Sequence, residues 1–121
     1  FFEVIFRSPP QRVLSGEMPK ARWFDGATLN YAEHVFRQKN AERPALLVAS
    51  ETGPLTEVSW AELERQTAAL ATWLRKVGVQ PGDRVAAYLP TIPEATVALL
   101  ATMAVGAVWT SCSPDFGTAS V

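Results

Sequence analysis

The chain has 121 residues, 48% hydrophobic and 19% charged, which suits one small globular domain and excludes a disordered tail. Eleven Lys and Arg stand against twelve Asp and Glu, for a net charge of −1, and no basic stripe marks a surface for duplex nucleic acid. The single cysteine, Cys112, excludes an internal disulfide and a cysteine-built zinc site within one chain, and it fits a reducing, cytoplasmic compartment.

Residues 1–27 carry Pro9, Pro10, Gly16, Pro19 and Gly26 and read as extended chain and turns. This segment is expected to lie on a body formed later, anchored by Phe1, Phe2, Val4, Ile5, Phe6, Trp23 and Phe24. Residues 28–121 read as an incomplete α/β domain. Thr28 is placed to cap a helix over 29–39, with Leu29, Ala32, Val35 and Phe36 on one side. The apolar run 45–49 predicts a strand. Residues 55–58 predict an antiparallel partner, joined to it by a loop containing Gly53 and Pro54.

Ser59 and Glu62 form a capping-box pattern that opens a helix running to about Val77, with a core stripe of Leu63, Thr67, Leu70, Leu74 and Val77. After the turn at 80–83, the apolar run 84–89 predicts a parallel strand covered on both faces. Thr91 and Glu94 suggest a second capping box, with Pro93 in the first turn of a helix over 93–105 that Gly106 closes. A strand over 107–111 completes a βαβ unit, and Ser113-Pro114-Asp115 reads as the start of a further helix. The fold class is therefore α/β, a partial layered domain built on a βαβ parallel-sheet unit. Residues 95–114 hold no charge, but their Thr and Ser content and the break at Gly106 favour a buried helix followed by a strand over a membrane span.

No glycine-rich phosphate cradle of either common pattern occurs, and no Gly-x-Ser-x-Gly elbow marks a nucleophile. His34 reads as a surface or hydrogen-bonded helix residue. Cys112 reads as a buried structural thiol, and Glu62, Glu64, Arg65, Arg75 and Lys76 as a solvated helix face. Trp60 and Trp73 read as packing residues. The one place with a functional argument is 113–117, because ligands of open α/β sheets gather past the carboxyl ends of parallel strands. Asp115 there would repel a phosphate, and simple helix capping is the plainer role.

Three phrases in order carry a resemblance. They are Trp23-Phe24-x-Gly26-Ala27-x-Leu29-Asn30-Tyr31-Ala32-Glu33, Val58-Ser59-Trp60-x-Glu62-Leu63, and Gly78-Val79-x-Pro81-Gly82-Asp83-Arg84-Val85-Ala86 running on to Pro90-x-Ile92-Pro93-Glu94-Ala95. Together they resemble the N-terminal part of acyl-CoA synthetases of the adenylate-forming superfamily, across essentially the whole chain. The ending Trp109-Thr110-Ser111-Cys112-Ser113-Pro114-Asp115-Phe116-Gly117 is most similar to the acetoacetyl-CoA synthetase branch. Asp25 stands where that branch leads one to expect proline.

The resemblance implies a ligase that joins a carboxylic acid to CoA at the expense of ATP, with magnesium accompanying the nucleotide. It implies that the acid forms an acyl-adenylate with release of pyrophosphate, and that the CoA thiol then displaces AMP. The motifs that perform this chemistry are not among these residues, so no catalytic or metal-binding residue is expected here. Ser113, Pro114 and Asp115 stand, with different residue types, where the resemblance places the Phe-Gly-Gly turn that acetyl-CoA synthetases lay against the nucleotide of CoA. The chain opens on Phe1 and stops at Val121 in mid-phrase, so it is expected to be a piece of a longer synthetase, inactive alone, whose partners are small-molecule substrates and the rest of that chain. The competing expectation is a non-catalytic module that docks on a partner. A Rossmann dinucleotide binder shares the βαβ logic but lacks the glycine fingerprint, since Pro90-Thr91-Ile92-Pro93 follows the strand instead.

Overall fold

The computed structural model describes residues 3–37, 39–51 and 53–117. Its elements run β1 (Arg12–Ser15), β2 (Arg22–Asp25), α1 (Tyr31–Phe36), β3 (Leu46–Ser50), β4 (Gly53–Val58), α2 (Trp60–Lys76), β5 (Arg84–Tyr88), α3 (Pro93–Ala104), β6 (Val108–Cys112) and a 3-10 turn, Pro114–Phe116.

The leading segment is more ordered than its proline and glycine content suggests, because β1 and β2 pair as an antiparallel hairpin. Asp25 fastens it: Ser15 Oγ donates to Asp25 Oδ2 at 2.6 Å, and Arg22 Nε lies 3.0 Å from Asp25 Oδ1. The expected anchors are not buried. Val4, Ile5, Trp23 and Phe24 are each at least two-fifths exposed, and Phe1 and Phe2 lie outside the described residues. The segment is held by backbone bonding instead: Arg7 N donates to Thr28 O at 2.8 Å and Thr28 N to Ser8 O at 3.0 Å.

That bridge explains why Thr28 is not the helix cap. Its backbone is engaged with Ser8, and Asn30 takes the role, accepting from Glu33 N at 3.3 Å. The helix is correspondingly shorter than expected, and Leu29 stays outside it and exposed. Strands β3 and β4 form the expected hairpin with a register shift between Val48 and Ser50, and Gly53 and Pro54 belong to β4, not to the loop.

Ser59 caps α2 as the sequence suggests, accepting from Glu62 N at 3.2 Å. The return half of the box does not form, because both Glu62 oxygens are claimed further along the helix by Arg65 and Gln66. The buried stripe is Leu63, Thr67, Ala71 and Leu74; Val77 is the exposed C-cap, and Trp73 projects outward at 55% exposure. At α3 the cap is Ile92 without a side-chain bond, and Thr91 is not used. Pro93 does occupy the first turn, where its missing amide proton is of no consequence.

Strands β5 and β6 run parallel with the register Arg84↔Val108 through Tyr88↔Cys112, joined by α3. This is the βαβ unit the sequence predicts. Its core lies between α2, α3 and one face of β5–β6, with Ala71, Leu74, Ala101, Val105 and Ala107 buried and Val85 packed against them. A second cluster of Leu63, Val97 and Leu100 reaches Phe36 of α1 and Leu46 and Val58 of the β3–β4 hairpin, and Leu70 touches both clusters. Among the described residues the expected coverage on both faces is found on one face only. Arg84, Ala86, Tyr88, Val108 and Thr110 share the opposite face by alternation and register, and all are exposed. No helix of the described residues is long and apolar enough to cross a membrane.

Candidate functional site

The β5–β6 pair aims both strands the same way, so their carboxyl ends emerge together. Leu89 N donates to Cys112 O at 3.1 Å, which continues the ladder one step past β5. Directly beyond lies the segment Ser113-Pro114-Asp115. It forms one 3-10 turn in place of the start of an α-helix among the described residues. Pro114 cannot donate from its nitrogen, so the turn depends on its neighbours. Ser113 Oγ accepts from Asp115 N at 3.4 Å and donates to Asp115 Oδ2 at 2.9 Å, while Phe116 N donates to Ser113 O at 3.1 Å. A third hold comes from outside the turn: Tyr88 Oη donates to Pro114 O at 3.2 Å.

Ser113 is half-buried, whereas Pro114, Asp115 and Phe116 are exposed, so the turn presents a carboxylate, a proline ring and an aromatic ring to solvent. The carboxylate can accept hydrogen bonds and the aromatic ring can stack on a flat, apolar-faced group. The surface does not suit a phosphate, which Asp115 would repel. Tyr88 was not singled out by sequence reasoning. Its signal was its place as the last residue but one of the apolar run 84–89, which the parallel register sets opposite Cys112, directly before the turn.

Several other titratable groups have structural occupations. His34 Nε2 accepts the Ile5 amide at 3.0 Å. Lys39 pairs with Glu64 at 2.7 Å. The Glu62 carboxylate grips Arg65 at 2.6 and 2.8 Å and accepts from Gln66 at 2.5 Å, which lowers it to about 2, chiefly through the Arg65 bonds. Cys112 is a half-buried free thiol. A groove of about 350 Å³ runs along α1 and α2 and includes Arg7, Thr67 and Arg75, but Arg75 donates to Ala104 O at 3.2 Å and so serves the end of α3. Among the described residues no group of three or more His, Cys, Asp or Glu is placed to hold a metal ion.

The family model described as AMP-binding enzyme matches residues 32–121, and the one for the acetyl-coenzyme A synthetase N-terminus matches residues 3–35. The chain belongs to the AMP-binding enzyme family. Its similarity within that family is specific. The acetoacetyl-CoA synthetase of Mus musculus is 48% identical over 96 residues, covering 78% of this chain and 14% of that protein. The acetoacetyl-coenzyme A synthetase of Rhizobium meliloti is 41% identical over 116 residues, covering 95% of this chain and 18% of that one. Among solved structures, acetoacetyl-CoA synthetase from Streptomyces lividans superposes with a TM-score of 0.88 at 59% identity, over 98% of this chain and 19% of that chain. This AMP-binding family member thus spans less than a fifth of the length of the relatives it matches.

Proposed function

We propose that this chain is the N-terminal portion of an ATP-dependent acetoacetate–CoA ligase acting in the cytoplasm. The observation that carries the reading is the 59% identity and 0.88 TM-score to an acetoacetyl-CoA synthetase over nearly the whole chain. In the proposed reaction an acetoacetate oxygen attacks the α-phosphorus of ATP. The bond to the β-phosphate breaks, and acetoacetyl-adenylate and pyrophosphate result. The CoA sulfur then attacks the acyl carbon, its proton is lost, and AMP departs with the oxygen that joined it to the acyl group.

The residues described here would contribute to the second half of that sequence. Ser113, Pro114 and Asp115 are proposed to lie against the base or ribose of CoA, as the carboxylate argues for a contact away from the phosphates. The groups that hold ATP and magnesium are proposed to come from the rest of the synthetase chain. Nucleic acid and membrane have no part in the proposed function.

The full-length synthetase should release pyrophosphate in the presence of acetoacetate, ATP and magnesium, and the 121-residue chain alone should release none. Release by the chain alone would overturn the division of labour proposed here. Replacing Ser113 by Ala and Asp115 by Asn in the full-length enzyme should raise KM for CoA with acetoacetyl-adenylate formation unchanged.

A second reading is a non-catalytic module that docks on a partner. It is favoured by the bare face of β5–β6, where Tyr88 and Val108 are each about half exposed. A frame that continues past Val121 into a Ser/Thr/Gly-rich loop supports the ligase reading, and an immediate stop supports the module.

A further inference from the structure

We infer that Tyr88 is the positioning residue that sets the CoA-facing turn against the end of the parallel sheet, an inference that rests on the reading of Ser113–Asp115 given above. The geometry is specific. Tyr88 closes β5 and stands opposite Cys112, so its ring projects from the bare face of the sheet beside the chain that continues into the turn. Its phenol donates to Pro114 O at 3.2 Å.

The other hydrogen bonds of this turn among the described residues, Ser113 with Asp115 and Phe116 N with Ser113 O, are internal to it. Internal bonds fix the shape of a turn but not its place. The Leu89–Cys112 bond fixes the strand end, one residue before the turn begins. The Tyr88 hydroxyl therefore supplies the register between sheet and turn. Because its ring is about half exposed, the hydroxyl can be removed with little loss of core packing.

The test is Tyr88→Phe in the full-length synthetase, beside the Ser113 and Asp115 variants. Losing one neutral hydrogen bond, worth about 1 kcal/mol, should raise KM for CoA about fivefold. Acetoacetate-dependent exchange of pyrophosphate into ATP, which needs no CoA, should keep its rate and its KM for ATP. Amide exchange at Asp115 and Phe116 should quicken in Tyr88→Phe while that of α3 stays as it was.

A merely structural tyrosine would disturb both half-reactions together, and that outcome overturns the inference. An unchanged KM for CoA in Tyr88→Phe, when Ser113→Ala and Asp115→Asn raise it, overturns the inference and leaves the functional reading standing. If the Ser113 and Asp115 variants are also silent toward CoA, the assignment of the turn fails and the inference fails with it.

Discussion

The side-chain amide of Asn30 donates to the carbonyl of Ala104 at 3.3 Å, and so ties the start of α1 to the end of α3. The same nitrogen lies 3.3 Å from Met103 O, while its oxygen accepts from Glu33 N. An amide is the one side-chain group of this size that both accepts at a helix start and donates to a helix end. Asp is as good an N-cap as Asn in isolation. Here Asn30→Asp would keep the acceptor but turn a charged oxygen toward two carbonyls. Asn30→Asp should therefore destabilise the protein at least as much as Asn30→Ala, by about 1–2 kcal/mol in urea unfolding. A neutral Asn30→Asp would show that the α3 contact contributes nothing.

Leu63 is 2% exposed and joins α2 to Val97 and Leu100 of α3. Truncation to Ala leaves a cavity that helices crossing at this point cannot close. Leu63→Ala should cost about 3 kcal/mol, and Leu63→Met less than about 1.5 kcal/mol, both read from denaturant midpoints.

The Glu62–Arg65 pair makes a pH prediction. Bonding to Arg65 and Gln66 lowers the Glu62 carboxyl from 4.5 to about 2, so in the folded chain it stays charged after the unfolded chain has taken up a proton. Its contribution is complete above about pH 4.5 and is lost as the pH falls toward about 2. The gap in melting temperature between the parent and Glu62→Gln should therefore shrink on acidification through this window. A gap that is constant from pH 6 to pH 2.5 contradicts the assignment. Both partners reach solvent, so salt should also narrow the gap.

Gly106 has φ +80°, and a Cβ there would meet Pro81 Cβ at 3.3 Å; Gly78 has φ +95° with open space around it. Gly106→Ala carries the left-handed strain and a crowded neighbour, and Gly78→Ala the strain alone. Each should destabilise by about 1–2 kcal/mol, with Gly106→Ala the worse of the two by thermal melting.

The bare side of β5–β6 and the exposed Leu14, Met18, Trp23 and Phe24 of the hairpin region predict poor solubility for the 121-residue chain. It should bind a hydrophobic dye at micromolar concentration and melt below ~60 °C. A cooperative transition above that temperature without dye binding would remove the need for anything to cover these surfaces.

The βαβ unit was legible in the sequence because each boundary carried a local chemical mark: Pro93 at a first turn, Gly106 at a stop, and apolar runs on either side. What was not legible depended on distant partners. Thr28 reads as a cap, yet its backbone is taken by Ser8, and the cap is Asn30, which has Glu33 three residues on. Glu62 fits a capping box, yet Arg65 one turn on outcompetes the Ser59 amide, since a charged donor binds a carboxylate more strongly than a neutral one. The run at 84–89 reads as doubly covered because its residues are apolar, while in the described residues only the side bearing Val85 meets a helix. At the candidate site, the stretch 113–117 could be picked out from its place past a parallel strand, and Ser113, Pro114 and Asp115 within it from the family resemblance. Tyr88 could not, because its hydrogen bond follows from a register no single strand reveals.

The parallel pairing of Arg84–Tyr88 with Val108–Cys112 is completed by the helix directly between them. All of its partners are neighbours along the chain, so little loop entropy opposes its closure. During synthesis this unit can take shape on the ribosome as soon as Cys112 has emerged, and its open flank is then an uncovered surface from the moment the unit closes.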